Sequence, residues 1–317
     1  MKKQIKFAIG ALLAPGVVLA STWIGTTGDW ADGANWDTAV PGAADPTHIN
    51  AGAVAQANVT TPGALSAQLI MENGSGLTIA AGGDLAVGGQ ALLGNAPSSL
   101  GSTITLDGGQ LSVAAEFAFG VTGGGILDIN SGTVNANGPW LMAGYLGGSI
   151  GDITLDGGAL NTLGPLYVGF DGDGSLTVND GTVSLGSHLI VGNGVGSIGD
   201  VVINGGSVTA QALNFGGGGT QTLDLNGGQL INNGGFVASP GSTFYIGSGE
   251  LIFTPASGAS LEDVEGLVSQ PNWIFDDTAL VYDSGSGIVV TSIPEPATFG
   301  LLAIFGGALM GIRRFRR

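Results

Sequence analysis

An all-β fold, a single right-handed parallel β-helix of about eight rungs, is predicted for this 317-residue chain from three observations. First, one short phrase recurs between Leu77 and Phe253: an alternating apolar run, a tight Asx-Gly turn, and a second alternating run. It reads ITLDGGQLSV (104–113), LDINSGTVNA (127–136), ITLDGGALNT (153–162), LTVNDGTVSL (176–185), VVINGGSVTA (201–210) and LDLNGGQLIN (223–232), with vaguer copies at 77–87 and 244–253. Second, the turn glycines Gly83, Gly109, Gly132, Gly158, Gly181, Gly206, Gly228 and Gly249 stand 26, 23, 26, 23, 25, 22 and 21 residues apart. Third, an apolar stretch closed by glycine keeps the same register: LLG from 92, FAFG from 117, LMAG from 141, LYVG from 166, LIVG from 189 and LNFG from 213. Two markers in one register at a fixed period are the signature of a repeat architecture.

The period-2 alternation specifies strands, and runs this short and glycine-bounded leave no room for a helix between them. A unit of about 23 residues is the size of one rung of a solenoid, which buries its apolar face only by stacking on its neighbours. Ile104, Leu106, Leu111 and Val113 are expected inside, Thr105 and Ser112 outside. Eight rungs at about 4.8 Å make a rod about 40 Å long, and the crossover rule for parallel strands sets its hand as right.

Taken from the N-terminus, residues 1–20 have a basic start, MKKQIK, an apolar run and small residues before Ser21, which is the pattern of a secretory signal peptide cleaved between Ala20 and Ser21. Residues 21–76 carry Trp23, Trp30 and Trp36 in a polar, glycine-rich setting and are read as an aromatic N-terminal cap with a first irregular coil, its strands unplaced. A solenoid end exposes unpaired backbone and apolar side chains, which bulky rings can plug; the competing reading is a sugar-stacking platform. Residues 77–253 are the repeat array. Within 254–293 the period is lost, and a short helix near 260–270 with strands after Pro271 would close the other end.

The last 24 residues join Pro294-Glu295-Pro296 to an uncharged run, 297–312, and a basic tail with Arg313, Arg314, Arg316 and Arg317. The run is about 24 Å long as a helix, slightly short for a bilayer core, so a short hydrophobic helix, a transient membrane span and transient inner-membrane anchoring are expected of it.

Composition bounds the chemistry. All seven Lys and Arg lie at residues 2–6 and 313–317, and the net charge is −17. Nucleic acid is excluded as a partner, because phosphate neutralisation has nothing to work with. With no cysteine, neither a disulfide nor a thiolate site is available. His48 and His188 are single and carry no zinc spacing. Gly194-x-Gly196-x-x-Gly199 and Gly147 to Gly151 match a dinucleotide string and a nucleophile-elbow string without the strand-to-helix context either requires.

Carboxylates remain. A glycosidase needs two of them about 5–9.5 Å apart. Asp128 and Asp224 lie four rungs apart, about 19 Å, and Asp107 and Asp156 two rungs apart, near 10 Å. The turn column Asp107, Asn130, Asp156, Asn179, Asn204 and Asn226 is read instead as a structural ladder: Asx before Gly tolerates left-handed geometry, and stacked Asn side chains hydrogen-bond from rung to rung. Asp171 and Asp173 are a candidate calcium pair that lacks the further acidic ligands of a calcium loop, and a solvated turn is the simpler reading. No cofactor is expected and no catalytic residue is assigned.

Two resemblances follow from these residues. The repeat is similar to the glycine-rich repeat of autotransporter passengers and PEP-CTERM surface proteins, and the W…W…NW…P opening resembles the start of such passengers. The segment from Pro294 to Arg317 resembles the PEP-CTERM sorting signal. The second resemblance implies an exosortase-type processing enzyme in the inner membrane, an exopolysaccharide setting, and a non-enzymatic, surface or extracellular-matrix structural role in a Gram-negative-type bacterium. A glycan-binding or weakly glycosidic β-helix is the alternative.

Overall fold

A computed structural model describes residues 20–50, 55–97 and 101–293. Because each repeat holds three short extended runs between glycine-rich corners, the chain turns three times per rung and builds three parallel faces. Ile150–Leu155, Ala159–Thr162 and Leu166–Val168 form one rung. Asp173–Val178, Thr182–Leu185 and His188–Val191 form the next, paired parallel and residue for residue with the first. The third face is a 10-stranded sheet running from Ser21–Thr22 to Phe236–Ala238.

The solenoid therefore has about ten turns, not eight. The extra rungs come from the segment expected to be an aromatic cap and an irregular coil: Pro46–Ile49, Gln56–Val59, Ala64–Ser66 and Gln68–Met71 are regular strands in register with the array. These rungs lack the Asx-Gly turn that marks later copies, so the marker missed them while the alternation was already in place.

Alternation decides which side chains enter the core. Ile104, Leu106, Leu111 and Val113 are fully buried, whereas Thr105 and Ser112 stay partly exposed. Because the pairing is parallel and in register, like stacks on like: Ile104, Leu127, Ile153, Leu176, Val201, Leu223 and Phe244 form one continuous column. Full burial of each such side chain is worth roughly 1.5–3 kcal/mol, and no single rung could bury it alone.

Glycine closes each corner for steric reasons. Gly144, the last residue of the LMAG triplet, has φ +68°, and a Cβ there would lie 2.2 Å from the Asp173 carbonyl oxygen of the next rung. At the Asx corner Gly158 has φ +72°, and its Cβ would meet the Gly132 carbonyl oxygen at 2.4 Å. The left-handed geometry thus belongs to glycine. Among the described residues Asn73 is the one non-glycine with positive φ, so tolerance of that geometry does not explain Asp and Asn in the ladder column.

Both ends are closed by non-repeating chain. Trp23, Trp30 and Trp36 are buried; Trp36 packs edge-on to Trp23 and Trp30 at centroid distances of 5.0 and 4.8 Å, and its Nε1 donates to the Trp30 carbonyl at 2.8 Å. Rings buried this deeply offer no face to a sugar. At the other end Leu261–Val268 is an α-helix with a Ser260/Asp263 capping box. Trp273–Phe275 adds a last parallel strand, and Ile288–Ile293 then pairs antiparallel with both Glu250–Phe253 and Thr278–Asp283. The parallel stack ends in a strand that runs the wrong way to extend it.

Among the described residues no helix is long and apolar enough to cross a membrane; the helix Leu261–Val268 has eight residues, about 12 Å. The expected C-terminal hydrophobic helix, the transient membrane span and the inner-membrane anchoring that depended on it are accordingly withdrawn. The run that prompted them, 297–312, lies outside the described residues, as do residues 1–19 of the expected signal peptide.

Candidate functional site

With the core columns fixed, the residues available for function are those the strands and corners turn outward. At the Asx corner these side chains hydrogen-bond from rung to rung. Asn130 Nδ2 donates to Asp107 Oδ1 at 2.7 Å. A second run follows, in which Asn179 donates to Asp156 Oδ1 at 2.6 Å, Asn204 to Asn179 Oδ1 at 2.7 Å, and Asn226 to Asn204 Oδ1 at 3.0 Å. Ser248 Oγ then donates to the Asn226 carbonyl at 2.7 Å. Every amide donates toward the N-terminal end, so each aspartate ends a run: a carboxylate accepts and has no proton to pass on.

This arrangement occupies the carboxylates weighed for glycosidase chemistry. Asp107 and Asp156 are both ladder acceptors. Asp128 and Asp224 share one outward column of the first face, separated by Thr154, Thr177 and Val202, four steps or about 19 Å. Burial, then Asp156 and Asp152, pushes the Asp128 carboxyl above its ordinary value. Burial, then Asp200, does the same to Asp224, whose Oδ1 is buried without a hydrogen-bond partner.

The other predicted positions are scattered. Asp173 Oδ1 accepts the Ile198 amide at 3.2 Å, and Asp171 lies exposed at the neighbouring corner. Among the described residues no group of three or more His, Cys, Asp or Glu is placed to hold a metal ion. His48 and His188 occupy third-face strands six rungs apart, about 29 Å. A cavity of about 390 Å³ opens near the C-terminal end between Ala238–Pro240 and Gln270–Trp273; no ionisable side chain lines it. Ser21, read as the first residue after signal cleavage, begins the first strand and pairs with Thr47. Pro294, Glu295, Pro296, Arg313, Arg314, Arg316 and Arg317 lie outside the described residues.

One feature was missed by sequence reasoning. On the outside of the third face, Ala118, Val121 and Met142 form a buried apolar cluster separate from the solenoid core, with Trp140, Tyr145, Tyr167 and Phe170 packed against it. The signal was present: in a three-residue strand the middle residue must face outward, yet the middle of the glycine-closed triplet is apolar in copy after copy.

The geometry defines a class, a capped parallel β-solenoid whose outer surface is patterned by stacked side chains. Beyond the fold, the chain carries at residues 292–317 a match to the PEP-CTERM protein-sorting motif. Comparison with curated proteins and with solved structures gave no match. The motif implies exosortase-type processing of the C-terminus.

Proposed function

We propose that the protein is an exported, non-enzymatic structural component of the bacterial surface or extracellular matrix, processed at its C-terminal sorting motif by an exosortase-type enzyme and operating in an exopolysaccharide setting. The observation that carries this reading is the pairing of the sorting motif at 292–317 with a solenoid whose best-placed carboxylates are spent on rung-to-rung hydrogen bonds. The resemblance of the repeat to passenger β-helices and the signal-peptide pattern ending at Ala20 support export. A long, rigid, acidic surface without a Lys or Arg between Phe7 and Ile312 suits a soluble, self-repelling extracellular component.

Mass spectrometry of the C-terminal peptide tests this in a host that possesses exosortase. The wild type is expected to mature to a product about 2 kDa lighter, by removal of roughly 20 residues, and to be recovered at the cell surface or in the medium. Changing Pro294, Glu295 and Pro296 together to Ala removes the rigid extended tripeptide and its carboxylate and is expected to leave residues 297–317 attached. Retention of Arg317 by both chains would refute the processing. A glycan-binding role is the second reading, favoured by the aromatic cluster of the third face.

A further inference from the structure

The third face differs from the first in what it turns outward. Along the first face one outward column runs Thr78, Thr105, Asp128, Thr154, Thr177, Val202 and Asp224, mostly polar, before Tyr245 and Ile274 at the C-terminal end. Along the third face, between His48 and Asn214, the outward column runs Ile70, Leu92, Ala118, Met142, Tyr167 and Ile190. At one residue per rung this is a stripe about 24 Å long, parallel to the rod axis. Corner side chains broaden it: Phe170 packs against Tyr145 and Tyr167 at centroid distances of 5.7 and 5.0 Å, and Trp140 packs against the same Ala118–Val121–Met142 cluster. Ala118 and Met142 are themselves covered, so the surface presented here is that of the half-buried rings of Trp140, Tyr145, Tyr167 and Phe170 packed against them, with Leu92 and Ile190 to either side; apolar surface gathered in one place on a monomer marks an interaction site.

We propose that the rings over this stripe form a short binding track for a neutral polysaccharide, with sugar rings stacked on Trp140, Tyr145, Tyr167 and Phe170; the proposal deepens the extracellular reading above and rests on it for its setting. Three observations select the occupant. The half-buried rings of Trp140, Tyr145, Tyr167 and Phe170 are large, rigid and amphipathic, so they offer contact at low ordering cost, and such rings match the C–H face of a pyranose. Charge selects neutrality: Glu116 and Asp171 act on Tyr145, raising its hydroxyl pKa after burial as the larger cause. These two carboxylates can accept sugar hydroxyls, but they repel uronates and sulfates, and no Lys or Arg between Phe7 and Ile312 offsets that repulsion. Size argues against a second copy of the chain: a stable dimer buries about 800 Å² per partner, whereas here Ala118 and Met142 are already covered and the remaining side chains are half-buried.

Depletion isotherms of the full chain on insoluble cellulose, starch and mannan, with alginate as the acidic control, test the proposal. Saturable binding to at least one neutral glycan and none to alginate is expected. The double variant Tyr167→Ala/Phe170→Ala should bind about tenfold more weakly, the loss typical of aromatic anchors at an interface, while Thr177→Ala on the first face should bind as the wild type does. Tyr145→Ala, at a corner outside every strand, is the second probe if the double variant fails to fold, and it should weaken binding in the same direction. Failure to bind any of the three neutral glycans, equal binding to alginate, or undiminished binding by a folded stripe variant would each overturn the track. So would a wild-type dimer in sedimentation that the stripe variants abolish. Processing at the sorting motif has its own readout: normal maturation without glycan retention rejects the track alone, and glycan retention without maturation rejects the processing alone.

Discussion

Asn179 donates its side-chain amide to Asp156 Oδ1 at 2.6 Å, while Asp156, an acceptor on both oxygens, has nothing to donate to Asn130. The corner ladder is therefore two runs, Asp107–Asn130 and Asp156–Asn179–Asn204–Asn226, and the break lies where an aspartate follows an asparagine.

Replacing Asp156 by Asn supplies the missing donor and should join the two runs. A net gain of about 0.5–1.5 kcal/mol is expected for one additional hydrogen bond, toward the lower end at an exposed corner. Asn204→Asp should do the reverse, because it removes the donor to Asn179. Equilibrium unfolding in denaturant at neutral pH checks both; equal stability of the two variants would mean that the ladder contributes nothing.

Asp224 should cost stability as pH rises. Its folded pKa is raised above 3.8 by burial and then by Asp200, so between 3.8 and the folded value the native state holds a proton that the unfolded chain has released. Stability is then fully present below the unfolded value and declines as pH rises through the folded one. Asp224→Thr, which copies the Thr154 and Thr177 positions of the same column, should raise the melting temperature at pH 7 and lose that advantage below about pH 4. Melts of both proteins across this range decide the sign.

Whole rungs should be exchangeable and half rungs should not. Leu176 is the register partner of Ile153, so deletion of residues 153–175 brings Leu176 into the column that Ile153 leaves and preserves every inward and outward position. Deletion of half that length sets a corner against a sheet and flips the later strands. Proteinase K resistance is the readout; trypsin is uninformative where Lys and Arg are absent from Phe7 to Ile312. Equal sensitivity of the two deletions would contradict the register.

Removing the hub of the N-terminal cap should loosen one end of the rod. Trp36 contacts both Trp23 and Trp30, and Trp36→Ala should cost about 3–5 kcal/mol, the usual penalty for emptying a buried aromatic site. In a solenoid this loss stays near the affected rungs. Hydrogen exchange should accelerate in 21–59 and remain slow beyond about Ile104.

Parallel strands, the inward columns and the corner glycines were legible in the sequence because each repeats, and a repeated choice announces its own period. What did not repeat was hidden. The strands of 46–71 lacked the Asx-Gly marker, so two rungs went uncounted although Thr47, Ile49, Leu69 and Met71 already alternate as buried residues. The Asx column was visible as a column, but its direction was not, since which amide donates to which oxygen depends on the order of Asp and Asn along it. The third-face aromatics escaped for a different reason: Tyr145 and Phe170 lie at corners, where alternation carries no information about direction.

The opposed directions of the last strands have a geometric corollary. Ser21 opens the first rung and Ile293 ends the antiparallel closure, so the described chain enters at one extremity and leaves at the other, nine rung steps or about 43 Å away. The rod therefore fixes how far the tryptophan-plugged tip stands from Ile293, and the number of repeats is a ruler: each added or lost copy should move that tip by one strand spacing.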